Sequence, residues 1–73
     1  MGQKRQEIIN RRKSFNLTQQ EVSNQAGISR SFYAMFEAGK RGCSFRTWVK
    51  ISKVLKLSEN KIFEIILKDE SNE

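Results

Sequence analysis

The 73-residue chain has no histidine and a single cysteine, Cys43. Together these absences remove most metal sites and nearly all familiar nucleophile and base pairings, because a thiol needs a neighbouring base or cation to react as a thiolate. No catalytic residue, metal or cofactor is expected. One thiol suits a reducing compartment better than a disulfide-stapled scaffold. There is also no apolar run of about 18 residues and no signal-peptide pattern, so the expectation is a soluble intracellular protein with no membrane partner. Met1-Gly2 opens the chain as a myristoylation site does, but Gln6 stands where Ser or Thr is required. No internal repeat, low-complexity segment or linker interrupts the sequence.

Acidic residues are scarce over most of the length. Residues 1–58 hold 12 basic and 3 acidic side chains, a net +9, whereas residues 59–73 hold 2 and 5, a net −3. This distribution suits an anionic partner approached by the body of the domain, with the acidic end turned away. A single domain spanning residues 1–73 is expected, and one this small hides only about 60% of its unfolded surface, so its stability should be modest.

What is present is organised around Leu17 to Gly39. Thr18 and Glu21 have the spacing of a capping box, so a helix should begin near Gln19. Val22 and Ala26 give it one buried stripe, and Gly27 supplies the left-handed residue that ends it. Ser29 reads as the next N-cap. Tyr33 and Phe36 then share a face that can close on Val22, Ala26 and Ile28, leaving Ser29, Arg30, Ser31, Ala34, Met35 and Ala38 outward.

The flanking segments also read as helices. Ile8, Ile9 and Phe15 lie among Lys4, Arg5, Arg11, Arg12 and Lys13, as in a basic first helix with a narrow inward stripe. Asn16 follows, a residue that tolerates left-handed backbone. Gly39-Lys40-Arg41-Gly42 reads as a flexible basic loop. From Ser44 a fourth helix places Phe45, Trp48, Ile51, Ser52 and Leu55 inward, with Lys50, Lys53 and Lys56 outside. Ser58 can cap a fifth helix to about Leu67, with residues 68–73 a polar tail.

Gln19, Gly27 and Glu37-Ala38-Gly39-Lys40 at this spacing resemble the helix-turn-helix of the Cro and repressor family of phage and bacterial regulators, and the similarity extends from Ile8 through Phe63. The resemblance implies an all-α, compact five-helix bundle of the lambda repressor-like kind, with the helix-turn-helix at helices two and three. Ser23 stands where the family usually has alanine, Arg11 where it has an aliphatic core residue, and Cys43 where it often has proline. Arg11 must then snorkel to water, or a rotated helix uses Ile9 instead.

The family geometry puts the second helix of the motif in the major groove. Arg30 is then the leading base reader, because a guanidinium can bond both N7 and O6 of guanine; Ser29, Ser31 and Met35 are further base contacts. Gln19, Phe32, Lys40, Arg41 and Ser44 would lie against phosphates and set register. In family members that carry it, the residue matching Arg12 pairs with the glutamate matching Glu37, a structural ion pair that would orient the reading helix; the alternative for Arg11-Arg12-Lys13 is a solvated face. Ile62 and Phe63 match family core positions, so Ile65, Ile66 and Leu67 are surplus and are expected to form a dimer interface; the alternative is that this helix simply wraps the monomer's own core.

The implied function is a small cytoplasmic transcriptional regulator, prokaryotic or phage-encoded. It would act as a homodimer on a two-fold symmetric double-stranded operator, with no small-molecule ligand. The alternatives are a protein-interaction module on the same scaffold, an antitoxin-like partner-binding regulator, and sequence-independent nucleic-acid binding.

Overall fold

The computed structural model describes residues 4–71, and among these there are five helices and no strand. They are α1 (Gln6–Ser14), α2 (Gln19–Ala26), α3 (Arg30–Glu37), α4 (Phe45–Leu55) and α5 (Glu59–Ser71). The all-α expectation holds. α5 continues to Ser71, past the Leu67 expected, and the rest of the anticipated tail, Asn72 and Glu73, lies outside the described residues, as do the side chains of the acidic stretch at 69–70.

Hydroxyl side chains start four of the helices. Thr18 and Glu21 form a reciprocal capping box, with the Thr18 N–H donating to Glu21 Oε1 at 2.8 Å and the Glu21 N–H donating to Thr18 Oγ1 at 3.1 Å. Ser29, Ser44 and Ser58 accept from the amides of Phe32, Thr47 and Lys61 at 3.0, 3.3 and 3.2 Å. Each cap satisfies one amide that the helix leaves orphaned, worth roughly 1 kcal/mol.

α1 to α4 all end in the same way, on a left-handed residue: Asn16, Gly27, Gly39 and Lys56, with φ of 57, 73, 75 and 55°. In each case the next amide reaches back five residues, from Leu17 to Arg12, Ile28 to Ser23, Lys40 to Met35 and Leu57 to Ser52, at 2.9–3.2 Å. This closure reverses the chain and satisfies carbonyls at the helix end. Glycine makes it without strain; Lys56 does not.

The core is Ile8, Val22, Ala26, Tyr33, Phe36, Trp48, Ile51, Leu55, Ile62 and Ile65, drawn from all five helices. At its centre Phe36 meets Trp48 edge to face, with ring centroids 4.8 Å apart. Two buried hydroxyls are satisfied locally: Ser23 donates to the Gln20 carbonyl at 2.9 Å and Ser52 to the Val49 carbonyl at 2.7 Å. Serine thus replaces alanine at position 23 without an unpaired polar group.

Three inward assignments need correction. Phe45, expected in the core, is 56% exposed and stacks on Phe63, itself 50% exposed rather than buried. Phe15 is also exposed, and its ring lies under the Arg11 guanidinium at 4.9 Å. The reason on α5 is helical phase: Ile62 faces inward, and Ile65, three residues on, follows it to the same side, which carries Phe63 and Leu67 outward. Ile65 is only 4% exposed, so it belongs to the core and not to an interface. Ile66 is half-buried and Leu67 is 63% exposed.

Arg11 neither fills the core nor simply reaches for water. Ile8 takes the fully buried position on α1, and Arg11 donates from Nε to the Leu55 carbonyl at 2.8 Å and from Nη2 to the Lys56 carbonyl at 3.0 Å. It is a cationic clamp on the C-terminal end of α4, where the helix dipole favours positive charge. α1 is tied to α5 by Lys61 Nζ and Glu7 Oε1 at 2.9 Å.

Candidate nucleic-acid interface

The geometry of the α2–α3 turn decides which side chains α3 presents. At Gly27 an added Cβ would meet nothing within 4 Å, so the positive φ, not crowding, is what calls for glycine. Ser29 then starts α3, with Tyr33, Phe36 and Glu37 buried on its inner face. Ser29, Arg30, Ser31 and Met35 are exposed, Met35 by 42%, while Ala34 and Ala38 are half-buried. Ser29, Arg30 and Ser31 are thus accessible at the start of α3, and Met35 is accessible in its second half. Ser29 Oγ has one lone pair committed to the Phe32 amide, which leaves its hydroxyl hydrogen available.

Behind this face lies a polar junction centred on Glu37, which is 3% exposed. Arg12 grips the carboxylate side-on, Nε to Oε2 at 2.6 Å and Nη2 to Oε1 at 3.2 Å, and its Nη1 donates to the Leu17 carbonyl at 2.9 Å. Gln19 Nε2 donates to Glu37 Oε1 at 3.0 Å. One carboxylate therefore connects α1, the start of α2 and the end of α3. Burial alone would raise the Glu37 carboxyl, but the hydrogen bonds from Arg12 and Gln19 outweigh it and hold it below the usual glutamate range. For Tyr33 the direction is up, first because of burial and then because the neighbouring carboxylate repels a phenolate.

Gln19 is thereby partly spoken for. Its amide donates one hydrogen to Glu37 and keeps a second, so a phosphate contact from this side chain would run through an amide oriented by Glu37.

The segment after α3 is more ordered than a flexible loop. The amides of Gly39 and Lys40 close onto the carbonyls of Phe36 and Met35 at 3.1 and 3.0 Å, which fixes where Lys40 leaves the helix. The Arg41 guanidinium lies over the Phe32 ring, 5.0 Å from its centroid. Lys40, Arg41 and Ser44 are exposed and Phe32 is half-buried. Sequence reasoning missed Arg5, whose Nη1 donates to the carbonyls of Phe36 and, at 2.9 Å, Arg41, while its backbone amide donates to the Glu37 carbonyl at 2.9 Å. The signal was indirect: α3 has no basic residue in its last turn, so a cation for that end had to come from elsewhere.

Among the described residues no cluster of three or more His, Cys, Asp or Glu could hold a metal ion, and no helix is long and apolar enough to cross a membrane. A family model described as helix-turn-helix matches residues 8–62. The chain belongs to this helix-turn-helix family. Within that family the chain is similar to an uncharacterised HTH-type transcriptional regulator of Bacillus subtilis (strain 168), YqaE, with 39% identity over 62 residues. The match covers 85% of this chain and 50% of that protein, so the chain spans about half the length of its curated relative. The matched family region runs from the buried Ile8 of α1 to the buried Ile62 of α5, and so takes in the Glu37 junction and the exposed face of α3.

Proposed function

We propose that this helix-turn-helix protein is a sequence-specific double-stranded DNA-binding transcriptional regulator. The observation that carries the reading is the exposed row Arg30, Ser31 and Met35 on α3, backed by a buried ion pair that fixes the helix bearing it. In this role Arg30, with Ser29, Ser31 and Met35, reads base edges. Gln19, Phe32, Lys40, Arg41 and Ser44 lie against phosphates and set register. Family membership and the similarity to an HTH-type transcriptional regulator support the same assignment and give no support to catalysis. A prokaryotic or phage cytoplasm is the setting this function implies.

A homodimer on a two-fold symmetric operator fits the apolar surface of α5, with its composition revised. Phe63, Leu67 and the half-buried Ile66 replace the trio that included Ile65, and Phe45 of α4 extends the patch through its stack on Phe63. The same stacked pair favours a second reading, a protein-interaction surface for an unlike partner. Selection of bound sequences from a random duplex pool tests the first: a palindromic consensus is the expected outcome. Recovery of no sequence above background would favour the interaction module or sequence-independent binding.

A further inference from the structure

The recognition helix has an electrostatic problem at its far end. Its last residue, Glu37, is acidic, and no Lys or Arg occupies its last turn, although the C-terminal end of a helix dipole favours a cation. Arg5 supplies one from outside the motif. Its Nη1 donates both to the carbonyl of Phe36, within α3, and to the carbonyl of Arg41, beyond the Gly39 turn. One nitrogen thus bridges the helix end and the basic segment that follows. The guanidinium carbon lies 4.3 Å from the Phe36 ring centroid and 5.5 Å from that of Trp48, so the bridge rests on the two central aromatics of the core. The Arg41 guanidinium in turn rests on Phe32. The Arg41 backbone is held by Arg5 and its side chain by an α3 ring.

We propose that Arg5 is a positioning residue for DNA binding: it holds residues 39–41 in register with the recognition helix, so that Lys40 and Arg41 meet phosphate already placed. The inference rests on the proposed DNA-binding function. Its mechanism is a reduction in ordering cost, since a cation on a loose loop loses conformational freedom when it docks and a pre-placed one loses less. Lysine cannot substitute fully at position 5, because an ammonium is a compact point charge without the planar guanidinium that stacks on the Phe36 ring while one of its nitrogens donates to two carbonyls.

The test compares Arg5→Ala, Arg5→Lys, Arg41→Ala and the double variant Arg5→Ala/Arg41→Ala on the selected operator and on random duplex, with amide hydrogen exchange of the free proteins read alongside. Arg5→Ala should exchange faster at Gly39 and Lys40, whose amides bond the Phe36 and Met35 carbonyls, than wild type while the α2 and α4 amides keep their protection, a pattern that global destabilisation would not produce. Its affinity should fall by up to about tenfold on both DNAs, the size of the ordering cost of one rotamer-rich side chain that Arg5 no longer holds in place. In the Arg41→Ala background the same substitution should cost less, because one of the two cations it positions is gone. Arg5→Lys should recover only part of the loss. Losses that add fully across the two sites would overturn the inference in favour of a direct phosphate contact by Arg5, with DNA binding itself intact. Unchanged exchange at 39–40 would overturn it in the free protein, without reference to DNA. If Arg41→Ala and Lys40→Ala both bind like wild type, the holding role falls, and with it anything for Arg5 to position.

Discussion

Arg12 on α1 and Glu37 at the end of α3 meet side-on, with Nε–Oε2 at 2.6 Å and Nη2–Oε1 at 3.2 Å, across 25 residues of sequence. The pair is more than a surface ion bridge. Glu37 is buried, Gln19 of α2 donates to the same carboxylate, and Arg12 also holds the Leu17 carbonyl just before the capping box. Removing either charge would leave the other desolvated, so Arg12→Met or Glu37→Gln should each cost about 3–5 kcal/mol in urea denaturation. In a double-mutant cycle the coupling should far exceed the roughly 0.5 kcal/mol of independent sites. Additive losses would contradict the role given to the pair.

The same carboxylate should make stability sensitive to acid. The Glu37 carboxyl is held below its ordinary value in the folded state, so it contributes stability that is fully present above the unfolded-state pKa, about 4.3. That contribution is lost as pH falls through the lower, folded-state pKa. The urea midpoint of wild type should therefore drop below about pH 4 more steeply than that of Glu37→Gln. Parallel curves would show that Glu37 does not titrate between the two states.

Lys56 offers a gain in stability. It holds φ of 55° where α1 to α3 use Asn or Gly, and its carbonyl, not its side chain, is what Arg11 binds. Left-handed backbone costs a residue with a Cβ about 1–2 kcal/mol, partly offset by the greater unfolded-state freedom of glycine. Lys56→Gly should stabilise by about 0.5–1 kcal/mol in thermal melts. A loss of stability would mean that the lysine side chain makes a contribution the helix end does not reveal.

Much of this architecture was legible in the sequence, for reasons that differ by element. Thr18 with Glu21, Ser29, Ser44 and Ser58 mark helix starts through purely local chemistry, and the structure uses all of them. Gly27 and Asn16 announce left-handed ends because their side chains suit them; Lys56 does not, since there the closing hydrogen bond from Leu57 and the Arg11 clamp override residue preference. Phase on α5 is ambiguous in the sequence because Ile62, Phe63, Ile65, Ile66 and Leu67 crowd five apolar residues into six positions, with no unique inward stripe until Trp48, Ile51 and Leu55 fix which side packs. Arg5 was invisible for another reason. Its contacts lie 31 and 36 residues away, and nothing local separates it from the other cations of the first segment.

Dimerisation, if it uses the α5 surface, should respond to the exposed rings. Phe63→Glu places a charge beside Phe45 without touching the buried Ile62 and Ile65. The variant should stay helical, sediment as a monomer at micromolar concentration and lose operator affinity. A variant that remains dimeric would move the interface elsewhere.

The central claim separates reading from holding, and it is tested most directly by Arg30→Ala and Lys40→Ala measured against the selected operator, its single-base variants and random duplex over a salt series. Arg30 is exposed at the first turn of α3, and Lys40 lies just past its end. Loss of a bidentate base contact should cost about 1–3 kcal/mol on the operator and flatten preference at one base pair per half-site, with little change on random DNA. Loss of a phosphate contact should weaken binding to every sequence alike and lower the magnitude of the salt slope by roughly one per contact, because fewer counterions are released. Full base preference in Arg30→Ala, or lost preference with an unchanged salt slope in Lys40→Ala, would contradict the account.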